Sequence, residues 1–226
     1  DSPDLLRRVS LTRARRTLLA YRRFPIWSMP EALANVAGLQ IPILIIASAA
    51  PPGEAGHLMV AMQVMLLPMA LVGNSIGQVY LSRAPEEHRN GRLGPFTLSI
   101  VRRLALVGAL PIAIVGLSAP WTFPLVFGAD WTRSGEIAAM MVPWIILQFV
   151  VVPVSMSFHV VGHTMRAMQL QVAGFILRFG GVLFATQLHA PLVPSMVTAN
   201  AVFYAGMLAL IPFTVRDSEH SPKDLS

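Results

Sequence analysis

Six apolar stretches, separated by short segments of glycine, proline and charge, leave this chain few ways to fold. They run over about 28–50, 57–81, 104–126, 137–160, 168–188 and 192–214. A helix crossing the roughly 30 Å hydrocarbon core of a bilayer needs about 20 consecutive apolar residues. Inside lipid every backbone N–H and C=O must be satisfied within the protein, so only helices and closed barrels cross. Runs of this length are far longer than barrel strands, which take about 9–11 residues. The predicted fold class is therefore all-α: a polytopic membrane protein with a six-transmembrane-helix bundle. The six spans and their connections occupy residues 28–215 of a 226-residue chain. A basic segment, 1–27, precedes them and a polar tail, 216–226, follows, so no soluble catalytic domain fits beside the bundle. Charged residues make up 12% of the chain, against about a quarter in soluble domains.

The distribution of charge orients the spans, because short cytoplasmic loops hold the excess of Lys and Arg. With the N-terminus inside, 15 of the 17 cations fall on the cytoplasmic side. Seven lie in residues 1–27, and the others are Arg83, Arg89, Arg92, Arg102, Arg103, Arg166, Arg216 and Lys223. Arg133 falls outside and Arg178 within a span. Both termini are thus expected in the cytoplasm. The loops at 51–56, 127–136 and 189–191 are expected to face outward, and those at 82–103 and 161–167 inward. Although the net charge is +6, the cations flank apolar runs, where membrane lipids and topology account for them; no nucleic acid is expected as a partner. The segment 1–27 reads either as an interfacial amphipathic helix or as a solvated linker. The chain opens on Asp1 and lacks the short basic region and apolar core of a signal peptide, so its start reads as an internal cut or a processed end. With no cysteine, disulfides, thiol nucleophiles and Cys-based metal sites are excluded.

Polar residues inside the spans mark the faces that avoid lipid. Glu31, Asn35, Gly38 and Pro42 recur at helical spacing in the first span; Gln63, Ala70, Asn74 and Gln78 do so in the second; Gln171, Gly174, Arg178, Gly181 and Ala185 do so in the fifth. Each stripe either lines a hydrated cavity or packs against a neighbouring helix through small residues and interhelical hydrogen bonds. Arg178 follows Arg166 by twelve residues, about 18 Å along a helix, which places it either near the middle of the bilayer or, where the fifth span starts later, within reach of the cytoplasmic headgroups. Prolines at 42, 68, 111, 143, 153 and 212 lie at membrane depth, where each removes a backbone hydrogen bond that neighbouring groups must replace.

Other patterns point to chemistry only weakly. Gly73-Asn-Ser-Ile-Gly77 matches the nucleophile elbow of serine hydrolases, but it lies within an apolar span with no acid nearby, and the two glycines read better as a helix-packing pair. His159 and His163 share a helix face yet have no third ligand beside them, so no metal site is expected. Trp27, Trp121, Trp131 and Trp144 lie near span ends, as an aromatic belt would.

Four stretches resemble the polysaccharide-biosynthesis flippases, the oligosaccharide exporters of the multidrug/oligosaccharidyl-lipid/polysaccharide (MOP) superfamily. They are Arg23-Phe-Pro-Ile-Trp-Ser-Met-Pro30 leading into Gln40-Ile-Pro42, Leu67-Pro-Met-Ala-Leu-Val-Gly-Asn-Ser-Ile-Gly-Gln-Val-Tyr80, Ala119-Pro-Trp-Thr-Phe-Pro-Leu-Val-Phe-Gly-Ala-Asp-Trp-Thr-Arg-Ser-Gly135, and Pro143-Trp-Ile-Ile-Leu-Gln-Phe149. The match is to the second half of that family. The resemblance implies one six-helix lobe of a two-lobe transporter in the bacterial inner (cytoplasmic) membrane. Its substrate would be a polyprenyl-pyrophosphate-linked oligosaccharide, moved by alternating access for polysaccharide biosynthesis such as that of lipopolysaccharide. Residues 1–27 would then be the inter-lobe linker, and the N-terminal lobe would be a partner absent from this chain.

With that function, no covalent chemistry and no cofactor are expected, and the candidate cavity residues are Arg178, Gln171, Glu31, Asn35, Asn74 and Gln78. Arginine's planar fork suits bidentate contact with phosphate oxygens, which makes Arg178 the candidate partner of the pyrophosphate. A drug exporter of the same superfamily is the alternative within transport, and it would favour a cavity rich in acids. A membrane-embedded glycosyl-lipid transferase or polymerase would instead need carboxylates at a loop, where Asp130, Glu136, Glu86 and Glu87 are available. A non-transporting membrane scaffold is the remaining alternative.

Overall fold

A computed structural model of the chain describes residues 23–160 and 164–219; within the helices, the side chains of 23–27, 68–72, 74, 159, 160, 164 and 213–219 lie outside the description. The basic segment up to residue 22, His163 and the tail from residue 220 fall outside the described residues, as do the side chains of Trp27, Asn74 and His159. Among the described residues seven α-helices follow one another: α1 Arg23–Ala49, α2 Glu54–Arg89, α3 Leu93–Phe127, α4 Thr132–Ser155, α5 Ser157–Val160, α6 Thr164–Gln187 and α7 Leu192–Glu219. A single 3₁₀ turn, Ala129–Trp131, links α3 to α4.

Among the described residues, five helical stretches are long and apolar enough to cross a membrane: Ser28–Ala49, Leu93–Phe127, Ala129–Ser155, Met165–Gln187 and Leu192–Pro212. In α2 the described apolar part is the shorter Glu54–Leu67. The helix as a whole has 36 residues, about 54 Å at 1.5 Å per residue, so it too has the length to cross. An all-α polytopic fold is what this chain adopts.

The helices gather around α4, which buries residues on all sides, among them Ile137, Met141, Trp144, Ile145, Phe149 and Val151. A helix that is apolar all round belongs in the interior of a bundle. It packs against α3, α2 and α7; α6 packs against α1 and α7. The bundle is thus two packed groups, α2–α3–α4 and α1–α6, joined by α7. In lipid the tails are as apolar as the side chains, so close approach of backbones decides which helices associate. Along α3 the buried positions Leu104, Gly108, Ile112, Gly116, Ala119 and Phe123 form one stripe against α4. The other side of α3 carries exposed Leu106, Leu110, Ile114, Leu117 and Leu125, the surface that lipid covers.

Several connections are shorter than the hydropathy predicts. The expected polar loop 82–103 is mostly helix: α2 continues to Arg89, Asn90–Arg92 make the turn and α3 starts at Leu93. Once outside the bilayer, Ala and Glu still favour the helix, and hydropathy alone does not register a helix that outlasts its apolar part. Tyr80 of α2 hydrogen-bonds Thr97 of α3 at 2.8 Å and stacks on Phe96 at 5.5 Å. Arg102 and Arg103 lie five and six residues further into the bundle, about 8–9 Å. The expected loop 127–136 also shrinks. Gly128, with φ of 101°, ends α3 in a conformation open to glycine, and α4 begins four residues later at Thr132. The expected span 137–160 divides at Met156 between α4 and α5. At the other edges, α1 starts before residue 28 and α7 passes residue 215.

The turn after α1, the start of α4 and the turn between α6 and α7 come together at one end of the bundle. Arg133 at the start of α4 makes two-pronged contact with Glu54 at the start of α2, Nη2–Oε1 being 2.7 Å and Nε–Oε2 3.2 Å. It also reaches Glu136 at 2.9 Å. The His57 ring shares a 3.0 Å hydrogen bond with Ser134 and meets Trp131 edge-on. The three loops expected on one side of the membrane therefore share an end, the one for which the cation count predicts an outward position. In intact cells a cysteine introduced at exposed Ala129 is expected to react with an impermeant thiol reagent, and one at exposed Asn90 is not. Labelling at Asn90 alone would invert the topology.

Candidate functional site

Arg178 stands on α6, fourteen residues after Thr164 and nine before Gln187, about 21 Å and 14 Å from the two helix ends. It thus lies near the middle of its helix, with 0% exposure. Three helices enclose it. On one side lies Gly38 of α1, where an added Cβ would come within 3.1 Å of the guanidinium Nη1. On the other, Cζ lies 4.1 Å from the ring centroid of Phe203 and 5.7 Å from that of Tyr204, both on α7. A desolvated guanidinium within about 6 Å of an aromatic face gains up to ~2 kcal/mol. That contact places the cation but offers its N–H groups no acceptor. Nε, Nη1 and Nη2 all lack a hydrogen-bond partner among the described residues.

The two candidate stripes on α1 and α6 face each other. Gly38 and Pro42 are buried, Glu31 and Asn35 half-buried, and α1 packs on α6. On α6, Gly174, Arg178 and Ala185 are buried, with Gln171 and Gly181 half-buried. Phe203 fills the space beside Gly174, and Ala199 lies opposite Gly181. Small residues here admit neighbouring helices, as the packing alternative expects, and the arginine is enclosed within that packing. The third stripe stays apart. Gln63 and Gln78 on α2 are exposed, and the Asn74 side chain lies outside the description.

Four participants escaped the reading of the sequence. Phe203 and Tyr204 form the aromatic wall, and Asn200, one turn before Tyr204, is fully buried. The Asn200 Nδ2 donates to the Met196 carbonyl at 2.9 Å, while its Oδ1 has no partner. Gln148 on the central helix is likewise buried with an unmatched Oε1. A lone Asn or Gln within an apolar run is a signal in its own right, because an unmatched amide in hydrocarbon is costly. Gln171 Oε1 is unmatched too. The interior thus holds amide oxygens that can accept and a guanidinium that can donate.

A family model described as polysaccharide biosynthesis protein matches residues 5–136, more than half of the chain. No curated protein and no solved structure matches. The matched stretch takes in α1, α2, α3 and the first turn of α4, and stops short of Arg178.

Proposed function

From the premise that this chain belongs to the family of polysaccharide biosynthesis proteins, we propose that it is one lobe of a flippase in the cytoplasmic membrane. The cargo is a polyprenyl-pyrophosphate-linked oligosaccharide, carried across by alternating access without covalent chemistry. Its partner is a matching N-terminal lobe. The observation that carries this reading is the Arg178 guanidinium, buried near the middle of α6 with three nitrogens unmatched among the described residues. An arginine there costs about 2.5–3.5 kcal/mol on insertion scales, and a diphosphate offers both the charge and the paired oxygens that its fork fits. In the closed arrangement α1 covers this group, so access to it requires α1 to separate from α6 and α7.

The exposed side of α2 supports a second lobe. Gln63 stands there among Met59 and Leu67, and lipid would leave its amide without hydrogen bonds. A lobe seated against α2 would cover it and close the far wall of the cavity.

Complementation tests the proposal. In a cell lacking its flippase, co-expression of this chain with a matching N-terminal lobe is expected to restore surface polysaccharide, and this chain by itself is not. Restoration by the chain alone would assign the whole path to copies of this lobe; accumulation of lipid-linked sugar despite both lobes would refute transport.

A further inference from the structure

We propose that the outer end of this lobe carries a subsite for an uncharged glycosyl unit, separate from Arg178. A cavity of about 490 Å³ lies where α1 ends, α4 begins and the α6–α7 turn passes, lined by Pro51, Glu54, Arg133, Thr186, His189 and Pro191 among others. That volume is in the range of small-molecule sites, which are mostly apolar with a few convergent polar groups.

The polar groups select against anions. Both faces of the Arg133 fork are taken, Nε and Nη2 by Glu54 and Nη1 by Glu136, so its charge is compensated before any ligand arrives. A phosphate would meet two carboxylates already seated on that arginine. The Glu54 carboxylate keeps acceptor sites, since two oxygens offer about four lone-pair positions. Thr186 Oγ1 donates to the Leu183 carbonyl at 2.6 Å and remains free to accept. Pro51, Pro191 and Pro194 add C–H surface to the same lining. A pyranose has that division, with apolar C–H faces and a rim of hydroxyls.

His189 brings a further polar group to the cavity wall. Its φ of 52° is the one positive value at a non-glycine residue among those described. The left-handed region is the usual one for the residue just past a helix end, and the Ala190 N–H to Ala185 carbonyl bond at 2.9 Å completes that cap. The backbone accepts it in the turn that closes α6, where His189 N–H bonds the Thr186 carbonyl at 3.3 Å. Glycine would relax the turn; histidine adds an imidazole to the cavity wall.

This subsite rests on the reading that the cargo is a glycan, and it can be tested without transport. The full 226-residue chain, purified in a detergent without a sugar headgroup, is probed by saturation-transfer NMR with neutral disaccharides, glycerol and methyl phosphate. Ring protons of the disaccharides are expected to receive saturation, and the other two compounds at least five-fold less. His189→Gly and the isosteric Thr186→Val should each reduce the disaccharide signal at least five-fold, with the melting temperature of His189→Gly equal to or above the parent's. No signal from disaccharides, an equal signal from glycerol or methyl phosphate, or unchanged signals in both variants would overturn the subsite. An overturned subsite beside Arg178-dependent export leaves the flippase reading standing; sugar binding without such export does the reverse.

Discussion

Arg178→Ala in the assembled transporter is expected to abolish export at unchanged membrane levels, and Arg178→Lys to restore only part of it. The argument compares what the guanidinium contributes to the fold with what it costs. Its stabilising contact is the aromatic wall of Phe203 and Tyr204, worth about 2 kcal/mol when desolvated. Against that stand the insertion cost of about 2.5–3.5 kcal/mol and three unmatched nitrogens, each buried unsatisfied group adding about 1–3 kcal/mol. The balance is unfavourable, so a residue kept only for stability would be better as methionine. Arg178→Met should therefore melt at the same temperature as the parent or higher, while export is lost. Lysine keeps the charge but brings a point donor in place of the planar fork. Pulse-labelled surface polysaccharide, immunoblots of membranes and melting curves of the purified protein provide the three readouts. Full export by Arg178→Ala would remove Arg178 from the path. Lower melting with proportionate loss of protein would make it a pin between α6 and α7.

Hydropathy showed that the chain crosses a membrane, and roughly where, because the roughly 20-residue requirement leaves little freedom. It could not show which helix is central. On α3, Leu104 is buried and Leu106 is exposed, yet both are leucine, since lipid and protein interior ask for the same side chain. The 3.6-residue alternation that reveals a soluble helix face is thus nearly absent. Glycine spacing carries the information instead, and Gly108 and Gly116 mark the α3 face that meets α4. Arg178 was legible as a candidate because a charge inside an apolar run is rare. Its aromatic wall was not, because Phe203 and Tyr204 look like any apolar pair until α7 is laid beside α6.

The same packing logic ranks the glycines, and Gly135→Ala is expected to be the most damaging small substitution in the lobe. Gly135 lies near the start of α4, just after the tight turn from α3, so the two helices are still at their closest. A Cβ there would run into the Ala119 carbonyl and come within 2.9 Å of the Pro120 Cα. Those are backbone atoms of a helix held by its own hydrogen bonds, and no rotamer change relieves the clash. Overpacking of this kind costs about 1–3 kcal/mol and at times more. The upper figure corresponds to roughly 6–12 °C in melting temperature for a chain of this size. Gly116→Ala meets a Val142 methyl and, at 3.0 Å, the flexible end of Met65, so part of its strain dissipates and a smaller loss is expected. At Gly180 nothing lies within 4 Å of the added carbon, and alanine favours a helix by up to about 1 kcal/mol over glycine. Gly180→Ala should therefore melt at or above the parent's temperature. Size-exclusion profiles after stepwise heating in detergent would read the order Gly135→Ala, Gly116→Ala, parent, Gly180→Ala from lowest to highest. A Gly135→Ala protein that survives as well as the parent would mean that α3 and α4 do not approach this closely.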